Sequence, residues 1–109
     1  MAGFSVELDF EWDDDKARSN LRKHGIPFAL ARRVFFDPHR IERLDRRTEY
    51  GEDRFLSVGL ADLFLLAVVH TQRSDAIRLI SARKAKRHEQ DDYWKNRQDD
   101  PFHRCPSFE

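Results

Sequence analysis

The densest chemistry in this 109-residue chain lies between residues 76 and 88, where Arg78, Arg83, Lys84, Lys86 and Arg87 stand without an acid among them. Cations packed this closely bind anions, and arginine supplies 15 of the chain's 20 bases. Its planar guanidinium presents a donor fork that matches phosphate oxygens better than the point charge of lysine. Phosphate is therefore the ligand class that these residues suggest. Upstream, His70 and Arg73 follow an apolar run, Lys23 and His24 precede Gly25, and Arg54 follows Glu52 and Asp53. Each also has a bland reading. A histidine closing an apolar strand is often a satisfied structural group, cations at a helix end answer the helix dipole, and Arg54 can be half of a surface ion pair.

No G-x-S-x-G or Walker pattern is present, and the single cysteine, Cys105, sits near the end of the chain. Serine-hydrolase, nucleotide-triphosphatase and cysteine-nucleophile readings therefore lack support. His103 and Cys105 form a lone H-x-C pair without two further ligands nearby, so neither a metal nor another cofactor is expected. What remains is chemistry by clustered bases. RNA brings its own nucleophile, the 2′-hydroxyl, and a protein need only orient it, take its proton and stabilise charge on phosphorus. Arginine and lysine can supply the stabilisation, with histidine or lysine handling protons. This scheme needs no metal and leaves 2′,3′-cyclic phosphate ends. The competing reading is a module without catalysis, in which the same bases hold nucleic acid or an acidic partner protein.

The elements that must position these residues follow from periodicity. Phe4, Val6, Leu8, Phe10 and Trp12 alternate with polar residues, the pattern of a strand with one buried face. Asp13, Asp14 and Asp15 cap and charge the start of a helix that runs through Lys23 and closes at Gly25. Pro27 fits the first position of a second helix, whose stripe of Phe28, Ala31, Val34 and Phe35 ends at Asp37-Pro38. Four extended segments follow, at 40–45, 54–61, 63–72 and 76–82, the third apolar on both faces and so central. Short turns favour antiparallel hairpins between the later strands. A last helix spans about Ala82 to Asn96. The order β-α-α-β-β-β-β-α is an α+β domain with a mostly antiparallel sheet. One domain covers residues 1–98, and 99–109 reads as a flexible tail.

The formal net charge is zero, so no overall field draws the protein to nucleic acid or membrane. Charge is instead segregated: residues 1–15 carry six acids and no base, and residues 16–47 carry ten bases against three acids. No apolar run approaches a membrane span, and a cytoplasmic protein is the default expectation. Ser81 is a plausible N-cap for the last helix, but Lys84 stands where a capping box would place Glu or Gln. Arg83, Lys84, Lys86 and Arg87 then crowd the positive end of the helix dipole, a conflict that a bound phosphate would resolve.

Several stretches together resemble the BrnT toxin family of bacterial type II toxin–antitoxin systems: FEWDDDKARSNLRKHGIPF (10–28), VFFDP (34–38), YGEDRFLSVG (50–59) and VVHTQRSDAIRLISARKAKRHEQDDYW (68–94). The resemblance implies a RelE-like ribonuclease that halts translation by cutting RNA. It also implies a BrnA-like antitoxin that carries the DNA-binding domain, so that DNA is reached only through the complex. The family's K-H-G falls on Lys23, His24 and Gly25, and its T-x-R on Thr71 and Arg73. Its I-R-x-I-S-x-R-K falls on Ile77, Arg78, Ile80, Ser81, Arg83 and Lys84. His70 stands where many relatives have tyrosine, so a role needing a phenol does not carry over. The expected catalytic set is Lys23, His24, His70, Arg73, Arg78, Arg83 and Lys84, with Arg54, Lys86 and Arg87 binding RNA.

Overall fold

A computed structural model describes residues 8–45 and 53–99. The elements run β1 (Asp9–Glu11), α1 (Asp14–His24), α2 (Phe28–Ala31), a 3-10 turn (Arg32–Phe36), β2 (Ile41–Asp45), β3 (Arg54–Ala61), β4 (Phe64–Arg73), β5 (Ala76–Lys84) and α3 (Arg87–Asp99). The strands form one sheet in the order β1-β5-β4-β3-β2. Among the described residues only β1 runs parallel to its neighbour; the other pairings are antiparallel. This is the expected α+β order. Residues 4–7 of the first expected strand, and the expected tail beyond Asp99, lie outside the described residues.

Helix α1 forms as its sequence dictates. The Asp13 carboxylate accepts from the N–H of Asp15 at 2.8 Å and of Lys16 at 3.3 Å, and Gly25 closes the helix at φ +72°. That left-handed conformation is cheap only for a residue without Cβ. Asn20 is buried and acts as a strand substitute: its amide accepts from Ala82 N–H at 3.0 Å and donates to Ala82 C=O at 2.9 Å. Beyond the short β1, this pairing covers the outer edge of β5.

Pro27 is the N-cap of α2 rather than its first helical residue, at φ −74° and ψ 144°, and its carbonyl accepts from Leu30 and Ala31 at 3.0 Å each. The expected stripe of Phe28, Ala31, Val34 and Phe35 is buried, but only the first turn is α-helical. Asp37 precedes a proline and cannot readily be helical, so the chain tightens into 3-10 bonding as it ends. Gly59 lets β3 approach this segment closely, since a Cβ there would lie 3.0 Å from Val34 Cγ1 and 3.3 Å from Asp37 Oδ2.

The sheet buries both faces. Against α1, α2 and the 3-10 turn pack Leu66, Val68, Leu79 and Ala82; on the other face Leu56, Val58, Ala67 and Val69 pack with Tyr93 of α3. Two-residue turns join β3 to β4 and β4 to β5, with Asp62 at φ 57° and Ser74 at φ 48° supplying the positive φ that tight hairpins need.

The start of the last helix differs from expectation. Strand β5 continues to Lys84, so Ser81 is a strand residue and not an N-cap. The helix begins at Arg87, and the Glu89 carboxylate reaches back to the Lys86 N–H at 2.7 Å, the reciprocal half of a capping box. Its first turn thus carries an acid, as the dipole favours. Of the four cations expected to crowd the helix start, Arg83 and Lys84 belong to the strand. Lys86 and Arg87 remain at the helix start, where Glu89 offsets them, so the conflict that a phosphate was expected to resolve is reduced.

Candidate functional site

What brings the candidate cations together is an irregularity in β5. Val69 pairs with Ser81 but His70 pairs with Leu79, so Ile80 is the extra residue of a β-bulge. Residues five apart on a regular strand point to opposite faces. With one bulged residue between them, Arg78 (opposite Thr71) and Arg83 (opposite Ala67) share the face that carries α3.

On that face the register builds a cross-strand row. Glu11 neighbours Arg78, Arg78 faces Thr71, and Arg54 faces Asp45. Because Phe55 pairs with His70, the same register carries Arg54 opposite Thr71. Adjacent strands lie about 4.8 Å apart, so the two arginines flank Thr71 at a Cα separation of about 10 Å. Thr71 is buried and donates its hydroxyl to the Asp53 carbonyl at 2.8 Å, which ties β4 to the segment entering β3. Alternation places Arg73, exposed at the end of β4, on this face too. Arg78 donates to Glu11 at 3.2 Å; both side chains keep solvent contact, so the pair is weakly held.

Further along β5, Arg83 makes a fork-to-fork pair with Glu89, at 2.8 and 2.9 Å, and also donates to the Lys84 carbonyl at 3.3 Å. Burial opposes the charge on Glu89, which is 2% exposed. The bonds from Arg83 and the Lys86 N–H, with the charges of Arg83 and His88, outweigh that and hold its carboxyl at about 2. Among the described residues, three of the guanidinium's five N–H donors are used, which leaves two. Beside this pair opens a cleft of about 300 Å³ between β2 and the start of α3, lined by Arg43, Asp45, Arg83, Lys86, His88 and Glu89 over Leu56. A roomier cavity of about 450 Å³ lies between the 3-10 turn and the β3–β4 turn. It contains none of the candidates, and its acids are engaged: Asp62 pairs with Arg33 at 3.2 Å, and Asp37 takes hydrogen bonds from three groups.

The remaining candidates lie elsewhere. Lys84 faces Leu66 on the opposite side of the sheet. Lys23 and His24, both exposed, end α1 on that same side, three and four residues beyond the Asn20 that grips Ala82. His70 is 5% exposed, with Nε2 2.8 Å from the Ser57 hydroxyl and its ring edge-on to Phe35. Burial, aided by the charge of Arg40, pushes its pKa down to about 4, so the ring is neutral near pH 7. Arg87 is exposed and pairs loosely with Asp91 at 3.7 Å.

Sequence reasoning passed over Asn20, Asp37, Arg43, His88, Glu89 and Tyr93. Glu89 had a readable signal, an acid three residues after the true N-cap. It was obscured because that cap is a lysine, which is not a preferred capping residue. Nothing local announces Arg43 and His88, which only the tertiary fold brings to one cleft. Residues 12–89 match the family model described as the ribonuclease toxin, BrnT, of type II toxin–antitoxin systems. No curated protein matches the chain.

Proposed function

The chain belongs to the BrnT family of ribonuclease toxins from type II toxin–antitoxin systems, and we propose that it cleaves RNA without a metal, on the sheet face that carries α3. The observation that supports this reading is the Ile80 bulge, which aligns Arg78 and Arg83 on one face and leads from the Arg54–Thr71–Arg78 row to the cleft beside Lys86. At about 3.3 Å per residue the two arginines of β5 are roughly 16 Å apart, too far for one phosphate and suited to separate, non-adjacent phosphates of one extended strand. The 2′-hydroxyl attacks the adjacent phosphorus, the 5′-oxygen leaves, and guanidinium groups hold the charge that builds on the phosphoryl oxygens. Arg54, Arg73 and Arg78 anchor the strand at one end, with Arg83 and Lys86 at the other. Lys23, His24 and Lys84 fall outside this track, and His70 serves the core.

In this reading the fold is RelE-like, the protein works in the cytoplasm, and a BrnA-like antitoxin covers the basic face and carries the complex to DNA. The purified chain should cut RNA in excess EDTA and leave 2′,3′-cyclic phosphate and 5′-hydroxyl ends. Cutting only after divalent metal is restored would reject the mechanism. Intact RNA that is nonetheless bound, with log affinity falling against log salt at a slope of about −3 for four or five phosphates, would favour a binding module.

A further inference from the structure

The proposed cleavage needs a group to take the 2′-hydroxyl proton, and none of the cations on the track does so readily near neutral pH. The chain has five histidines. His24 lies on the other side of the sheet, His70 is buried against Ser57, His39 adjoins the 3-10 turn, and His103 is outside the described residues. His88 is exposed, stands in the first turn of α3, and lines the cleft with Arg43, Arg83 and Lys86. Resting on the ribonuclease reading above, we propose that His88 is the catalytic base and that Arg43 holds the scissile phosphate beside it.

The cleft, at about 300 Å³, lies at the small end of ligand sites and has room for one sugar-phosphate unit. Three elements converge there: β2 brings Arg43 and Asp45, β5 brings Arg83, and the start of α3 brings Lys86 and His88. His88 takes the proton from O2′ as the O2′–P bond forms and the P–O5′ bond breaks. The 5′-oxygen takes a proton from water, and the imidazolium returns its proton to solvent. The products are a 2′,3′-cyclic phosphate and a 5′-hydroxyl. Arg43, Lys86 and the two unused donors of Arg83 take up the phosphoryl charge, and Glu89 fixes the guanidinium plane. The charged groups around His88 are Arg43 and Asp45 from β2, Arg83 from β5, Lys86 just before α3, and Glu89, Asp91 and Asp92 within it.

The test compares the full-length protein with His88→Gln and His88→Ala, both exposed substitutions that leave the core untouched. Single-turnover cleavage by His88→Gln should fall about 100-fold or more, while its affinity for a 2′-O-methyl RNA stays within about two-fold. Added imidazole should restore cutting to His88→Ala. Wild-type-like cleavage by both variants, or a loss of cutting matched by an equal loss of RNA affinity without imidazole rescue, would overturn the assignment while leaving the ribonuclease reading intact. If the wild-type protein leaves RNA uncut, that reading fails and this assignment fails with it.

Discussion

Replacing Arg83 with alanine should destabilise the protein by about 3–5 kcal/mol, because it strands the Glu89 carboxylate in a buried site without its guanidinium. Glu89 is 2% exposed and accepts both arms of the Arg83 fork. A domain of this size has roughly 5–15 kcal/mol in hand, so the melting temperature should fall by about 15 °C or more. Arg83→Met combined with Glu89→Gln should recover most of the loss, since the amide can still accept from Lys86 N–H and no charge remains unpaired. A single-variant cost below about 1 kcal/mol would show that solvent screens the pair. The pH dependence has a definite sign. Because the folded carboxyl sits at about 2 against an ordinary 4.5, its contribution is complete above 4.5 and is lost as pH falls through about 2. The amount is on the order of 3 kcal/mol. Loss of cutting in Arg83→Ala therefore reports on catalysis only after correction for the folded fraction.

Asp37→Ala should be comparably severe, at about 3–5 kcal/mol, for a different reason. Its carboxylate accepts from Leu60 N–H at 2.8 Å, His39 N–H at 2.9 Å and the Tyr93 hydroxyl at 2.5 Å, and so joins the 3-10 turn, β3 and α3. Burial opposes the charge, but these donors and the nearby Arg97 outweigh it and hold the carboxyl below its ordinary value. The same contact, added to burial, pushes the Tyr93 hydroxyl up to about 12. Deleting the acceptor leaves the half-buried Leu60 N–H and the Tyr93 O–H without the oxygen they donate to, although Arg97 still donates to the Tyr93 oxygen at 3.1 Å; each lost acceptor costs about 1–3 kcal/mol. Tyr93→Phe removes one of the three donors to Asp37 and the acceptor of the part-exposed Arg97, and should cost less, about 1 kcal/mol. Urea midpoints that fall equally for the two variants would contradict this ordering. The consequence reaches the cleft, since Tyr93 seats α3, whose first turn forms one wall.

Much of the architecture was legible because local signals agreed. Asp13, the last-turn cations and Gly25 each mark α1, and the alternation in β3 and the apolar run in β4 mark the central strands. Legibility failed at the β5–α3 junction. The Ile80 bulge breaks the two-residue period just where a strand had to be told from a helix, and Ser81 offered a false cap. The site was half visible. Arg54, Arg78, Arg83 and Lys86 stand out as cations, but strict alternation would put Arg78 and Arg83 on opposite faces. Lys84, their sequence neighbour, points away from them. Asp37 reads as a helix breaker beside Pro38, and only the fold shows it to be a buried acceptor.

Amide chemical shifts followed during titration with a 2′-O-methyl RNA would show directly which side of the sheet the strand occupies. The largest changes are expected at Arg43, Arg54, Thr71, Arg78, Arg83, Lys86 and His88, with little response at Lys23, His24 and Lys84. Changes concentrated on those last three residues, with the α3 face silent, would contradict the proposed track.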